Sequence, residues 1–184
     1  MTTRFYVPAD TTAGAVGADE LAASLQDWLA ENNSQAELVR NGSRGAFWLE
    51  PLLEIETGDG RVGFGLVTAA ELQGILQLDP VDWSSHPRYL GPVEELDWFR
   101  AQHRLTFARC GQADPLCLEQ YLARHGFDGL EHAVHLPPED IVDEVTRSGL
   151  RGRGGAAFPA GIKWRTVLEA QAQQKYIACN ADEG

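Results

Sequence analysis

The chain has 184 residues, 27 acids against 15 Lys and Arg, and a net charge of −12; with 43% hydrophobic and 23% charged residues it is globular and not disordered. No apolar run reaches the roughly 18 residues of a membrane span, and "MTTRFYVPADTT" lacks the basic and apolar regions of a secretory leader. The acidic field disfavours nonspecific nucleic-acid binding, which needs clustered cations. A soluble, cytoplasmic protein with no nucleic-acid partner and no membrane span is expected. Cys110, Cys117 and Cys179 fit no zinc or disulfide spacing, so no metal site is read from them.

In chain order, "RFYVP" is a short strand closed by Pro8. "GADELAASLQDWLAENN" places Leu21, Leu25, Trp28 and Leu29 on one helical stripe. "AELVRNG" predicts a second strand, and "LLEIETGDGRVGFGLV" a hairpin about Gly58-Asp59-Gly60. "TAAELQGIL" closes this unit with a helix whose Thr68 and Glu71 have capping-box spacing. A thioredoxin-like domain shows this β-α-β-β-β-α order, and other α+β folds share it. Residues 80–136 are rich in Pro and Gly, with short helices expected in "VEELDWFRAQHR" and "DPLCLEQYLARHGF". The acids of "EELD" read as a solvated helix face. From Pro137, "PPEDIVDEVTRSG" predicts a helix with Pro138 early, acids in its first turn and Gly149 as its stop. "AGIKWRTVLEAQAQ" predicts another helix, and "KYIACN" a buried strand with Cys179 packed inside it.

Between those last two helices lies "SGLRGRGGAAFPAGIKW". From Val145 to Leu168 there are five cations (Arg147, Arg151, Arg153, Lys163, Arg165) and no acid, a local reversal in an acidic chain. Glycines let backbone N–H groups approach a ligand closely, and the start of the following helix favours an anion. Together they describe a phosphate cradle. The spacing of Gly152, Gly154 and Ala157 fits a relaxed G-x-G-x-x-A, but a helix precedes it where the dinucleotide fingerprint needs a strand. Gly161-Ile162-Lys163-Trp164 does not complete a Walker A loop. A helix–helix connector with solvated arginines is the competing reading.

The stretches "SGLRGRGGAAFPAGIKW" and "YIACNADEG" together resemble the flavin- and NADH-binding (diaphorase) subunit of respiratory complex I, NAD-reducing hydrogenases and soluble NAD-dependent formate dehydrogenases. That family reads S-G-L-R-G-R-G-G-A-G-F-P-T-G-x-K-W and then C-N-x-D-E-G-E-P. Here Ala157 replaces a glycine and Ala160 a threonine, so the cradle survives unless position 157 needs a positive φ. The motifs span about residues 137–184, and "RLTFARCGQADPLCLEQYLARHGFDGL" looks like the family's approach segment. The resemblance implies FMN as cofactor and NAD(H) as substrate. It places Gly152, Arg153, Gly154 and Gly155 against the flavin and Lys163 on its phosphate or ribityl side. Asn180, Asp182 and Glu183 match flavin-contacting residues at a strand end, and Phe158 with Glu183 would serve NAD. A second family aromatic falls near Thr166, which cannot stack. No catalytic acid or base is implied, and the family's iron–sulfur cysteines are expected only downstream.

Many relatives also carry a thioredoxin-like ferredoxin domain whose two-iron cluster is held by a C-L-G-x-C turn before a proline. The matching "SRGAFWLEP" has Ser43 and Phe47 at two cysteine positions, and such clusters need thiolates. The resemblance is therefore strongest to the formate dehydrogenase beta subunit, whose cysteine-poor N-terminal domain has a docking role.

The expected class is α/β: a thioredoxin-like domain without cluster cysteines over residues 1–79, a connecting helical region over 80–136, and the start of an α/β FMN-binding domain over 137–184. The expected function is part of the diaphorase subunit of an NAD-dependent formate dehydrogenase. Its partners would be an iron–sulfur subunit and a formate-oxidising subunit. A complex I or hydrogenase diaphorase, or a non-catalytic docking module, are the alternatives.

Overall fold

The computed structural model describes residues 3–179, so Asn180, Asp182 and Glu183 lie outside the described residues. The chain divides into two compact units, 1–126 and 127–184. The region expected to connect, 80–136, is shared between them.

In the first unit, β1 (Arg4–Tyr6) leads through α1 (Thr11–Ala15) and α2 (Ala18–Glu31) to β2 (Glu37–Val39), which lies parallel to β1. β3 (Leu53–Thr57) and β4 (Gly60–Phe64) form an antiparallel hairpin, and α3 (Ala69–Leu76) follows. β3 also pairs antiparallel with β1, and β5 (Tyr89–Pro92) extends the sheet to the order β2-β1-β3-β4-β5. Strands 2-1-3-4 with these directions make the thioredoxin-like arrangement expected from the element order. The Glu50–Pro51 peptide before β3 is cis. α1 and β5 are among the elements that escaped the sequence reading. Asp10 caps α1 by accepting from the N–H groups of Thr12 and Ala13, and β5 uses a Pro-rich stretch that only an edge strand accommodates.

Alternation along the strands divides the sheet into two chemically different faces. Phe5, Leu53, Ile55 and Phe64 face Leu21 and Leu25 of α2 and Leu72 and Ile75 of α3, forming the main core. The opposite face carries Tyr6, Glu54 and Arg61. Glu54 is fully buried and accepts from Arg44 Nε at 2.6 Å and Nη2 at 2.9 Å, and from Arg61 Nη1 at 3.2 Å. Arg61 stacks on Tyr6 at 3.3 Å and donates to the carbonyls of Gly111 and Gln112, which brings that segment over the polar face. Glu94 accepts from the other arm of Arg44 at 2.8 Å. The "EELD" acids are thus not merely a solvated helix face: Glu94 lies in a short 3-10 turn, Val93–Glu95, and neutralises a buried cation, while α4 is confined to Asp97–Arg100. α5 spans Leu118–Leu122.

The second unit holds α6 (Asp128–Ala133), α7 (Pro138–Arg147) and α8 (Ala160–Glu169), with α7 and α8 packed as a helical hairpin. α7 has its proline in the first turn with Glu139 and Asp140, and Gly149 follows its end at φ 68°, all as the sequence predicts. α8 stops at Glu169, short of the expected 173, where Lys175 Nζ donates to the carbonyls of Val167 and Leu168. The predicted buried strand is corrected: residues 175–179 form no strand, Tyr176 and Ile177 are almost wholly exposed, and Cys179 is exposed as well. A strand needs a neighbour for its N–H and C=O groups, and no described residue of this unit belongs to a strand.

Candidate functional site

The segment between α7 and α8 is a closed loop. Gly152 N–H donates to Phe158 O at 2.9 Å and Ala160 N–H to Leu150 O at 2.8 Å, making a bridge between Arg151 and Pro159. Inside it, Ala157 N–H reaches back to Gly154 O at 3.1 Å. These bonds leave the N–H groups of Arg153, Gly154, Gly155 and Ala156 without an acceptor among the described residues. A Cβ added at Gly154 or Gly155 would meet nothing within 4 Å, so a ligand can approach that stretch of backbone closely. Four successive N–H groups without a protein acceptor are donors open to water or to an anion. α8 begins immediately after, with neither an acid in its first turn nor a side-chain cap, and its first N–H, that of Ala160, is the one bonded to Leu150 O.

The structure separates the five cations of the region. Arg165 pairs with Asp143 and Arg147 lies 4.0 Å from Glu144, so both belong to α7–α8 packing and its surface. Arg151 Nε donates to the carbonyl of Ala157 at 2.6 Å. That leaves Arg153 and Lys163, both exposed and in no ion pair among the described residues. Lys163 Nζ lies 5.6 Å from the centroid of the Phe158 ring, and Phe158 is 43% exposed. Gly152, Arg153, Gly154, Gly155 and Phe158 lie in this loop and Lys163 in the first turn of α8, and among them the structure joins Gly152 to Phe158 by a backbone bond and sets Lys163 by the Phe158 ring. Thr166 turns its hydroxyl to Ile162 O along α8.

Two residues of this site gain a meaning that sequence alone does not give. Ala157 has φ 44°, in the left-handed region where a side chain is strained. The alanine therefore stands where the backbone does call for glycine. Gly161 is buried, and a Cβ there would come 2.8 Å from Thr146 Cα and collide with the Thr146 hydroxyl. Its role is to let α8 meet α7 closely, which fixes where the loop between them stands. Its signal in the sequence is only a glycine in a helical pattern, which also reads as a loop residue.

In the first unit, the turn at 43–50 is held by carboxylates. Ser43 Oγ donates to Glu50 at 3.1 Å and Leu52 N–H to the same carboxyl at 3.0 Å. Phe47 points outward, 55% exposed, and the exposed Trp48 meets Trp98 edge to face at 4.8 Å. Glu50 is 3% exposed and has no cation partner among the described residues. Burial, with smaller contributions from Asp10 and Glu54, pushes its carboxyl up to about 7. Arg44 is the opposite case: burial disfavours its charge, but its bonds to Glu54 and Glu94 outweigh burial and hold it above its usual value.

Residues 145–184 match the family described as the Nuo51 FMN-binding domain. The chain is 49% identical over 85 residues to the NADP-reducing hydrogenase subunit HndC of Solidesulfovibrio fructosivorans, covering 46% of this chain and 17% of that protein. It is 42% identical over 118 residues to an NADH-quinone oxidoreductase subunit of Streptomyces coelicolor, 64% of this chain and 22% of the relative. With the NAD-reducing hydrogenase HoxS subunit alpha of Cupriavidus necator the identity is 49% over 55 residues, 30% of this chain and 9% of that one. The chain thus spans less than a quarter of the length of each. Among solved structures, the wild-type thioredoxin-like [2Fe-2S] ferredoxin of Aquifex aeolicus is similar at 14% identity and a TM-score of 0.37, covering 50% of this chain and 92% of that one. The fold assignment rests on strand order and direction. No described helix is long and apolar enough to cross a membrane.

Proposed function

We propose, on the premise that residues 145–184 are a segment of the Nuo51 FMN-binding domain family, that the chain is part of the FMN-holding diaphorase subunit of a multisubunit, NAD-linked oxidoreductase. The observation that carries this reading is the run of four N–H groups at 153–156 in a loop that also carries Arg153 and leads into the helix turn of Lys163, two cations in no ion pair among the described residues. Such a set fits the phosphate of a flavin mononucleotide: donors at one edge and positive charge on the flank. Bound there, FMN supplies the exchange of a hydride with nicotinamide and of single electrons with iron–sulfur partners. The chain's own residues bind and orient. Arg153 and Lys163 neutralise the phosphate, Gly154 and Gly155 allow close approach of the backbone, and Phe158 offers an apolar face to a nicotinamide nucleotide. Asn180, Asp182 and Glu183 complete the flavin side in this reading, with Glu183 also toward NAD. No side chain need move a proton.

Within the family we assign the chain to the formate dehydrogenase branch. Support comes from the 43–47 turn, where Ser43 is bonded to Glu50 and Phe47 faces solvent at positions that carry cysteines in many relatives. The partners are then an iron–sulfur subunit and a formate-oxidising subunit, and the first unit serves for docking.

The test is flavin content of the assembly purified from its source, with Arg153→Ala and Lys163→Ala beside the parent. Each change removes a charge-assisted contact of about 1.5–3 kcal/mol. The expected result is near one FMN per chain in the parent and loss of flavin, with intact assembly, in the variants. An intact complex free of flavin would leave the loop as a connector and favour the docking module.

A further inference from the structure

We propose that Arg151 is a positioning residue, the clasp that holds the glycine loop in its anion-binding shape, and not a cation that contacts the ligand. The sequence places Arg151 on equal terms with Arg153. The structure does not: Arg151 Nε donates at 2.6 Å to the carbonyl of Ala157, across the loop and six residues on. That carbonyl belongs to the residue held at φ 44° without being glycine. A left-handed alanine is disfavoured by contact between its Cβ and its own backbone, so it persists only where the surroundings fix it. Here the fixing contact is a charge-assisted hydrogen bond to its carbonyl oxygen, solvent-exposed but roughly twice as strong as a neutral bond in the same place.

The consequence for the site is geometric. Ala157 N–H closes the inner turn onto Gly154 O, and the four unpaired N–H groups at 153–156 lie within or beside that turn. If Ala157 relaxes to negative φ, its peptide planes rotate, the inner turn closed by its N–H opens, and the backbone at 153–156 is no longer held in one arrangement. The two backbone bonds at the base, Gly152 to Phe158 and Ala160 to Leu150, keep the ends together but do not set the conformation of the tip. Arg151 thus acts through Ala157. The two residues form one device: with glycine at 157 the tip would hold its shape unaided, and the clasp would matter less.

The ligand in this inference rests on the FMN reading above, whereas the clasp rests on the loop geometry alone. The test therefore uses two readouts on the native complex: amide hydrogen exchange across 150–160, and FMN retained per chain after gel filtration. The variants are Arg151→Gln, Ala157→Gly and the two together. Arg151→Gln should speed exchange at the Ala157 amide about tenfold, the effect of losing one charged hydrogen bond, and should lower flavin retention. Ala157→Gly in the same chain should restore most of both. Unchanged exchange in Arg151→Gln overturns the proposal. So does flavin loss of the same size whether residue 157 is Ala or Gly, because Arg151 would then touch the ligand directly. A parent without FMN refutes the function proposed above and leaves the exchange measurement to decide the clasp.

Discussion

Glu50→Gln should make the first unit more stable at alkaline pH while leaving it nearly unchanged at pH 5. Glu50 is 3% exposed, its carboxyl accepts from Ser43 Oγ and Leu52 N–H, and no cation faces it among the described residues. Burial raises its pKa from 4.5 to about 7. Between those values the folded chain keeps a proton that the unfolded chain has released, so the folded state binds more protons and stability falls as pH rises. The loss begins near the unfolded value and is complete above the folded one. At 1.36 kcal/mol per pH unit it amounts to about 3 kcal/mol. Glutamine keeps the shape: its amide oxygen can accept from Leu52 and its NH2 can donate to Ser43 Oγ. Urea unfolding of parent and variant at pH 5, 6, 7 and 8 measures the difference, and other titrating groups cancel in that comparison. The variant should gain about 2–3 kcal/mol at pH 8 relative to pH 5. Parallel stability–pH curves would show that water or a rearranged partner solvates the Glu50 carboxylate and would refute the argument.

Asp10→Asn should move the same transition to lower pH, because the like charge is removed while asparagine still caps α1; an unmoved midpoint would show that Asp10 is not felt at Glu50. Glu54→Gln strands the buried Arg44 guanidinium with Glu94 alone, and denaturant unfolding should show a loss of about 3–5 kcal/mol. Gly161→Ala forces a methyl group onto Thr146, an overpacking cost of about 1–3 kcal/mol offset by about 1 kcal/mol of helix propensity. A net loss of stability and faster amide exchange at the α7–α8 contact are expected, and a variant at least as stable as the parent would contradict the close approach of the two helices.

Much of this protein is local in origin and therefore legible in its sequence. The strand and helix order of the first unit follows from periods of two and of 3.6 residues; Thr68 with Glu71, and Pro138 with Gly149, mark helix ends by chemistry that acts within one turn. The glycine-rich, cationic loop could be located in the same way, since glycine spacing and charge are properties of the chain itself. What each cation does was not legible. Arg147, Arg151, Arg153, Lys163 and Arg165 look alike along the chain, and only the packing of α7 on α8 gives Arg165 to Asp143, while only the fold of the loop gives Arg151 to the Ala157 carbonyl. Arg44 is likewise unremarkable in sequence, yet it sits buried between Glu54, ten residues away, and Glu94, fifty residues away. The apolar run at 175–179 shows the converse: its composition suits a buried strand, but among the described residues no strand of its unit lies beside it to pair with. Local propensity fixes which backbone conformations are cheap. Which polar group finds which partner, and whether a strand finds a sheet, depends on distances closed by tertiary packing, and those are absent from any window of sequence.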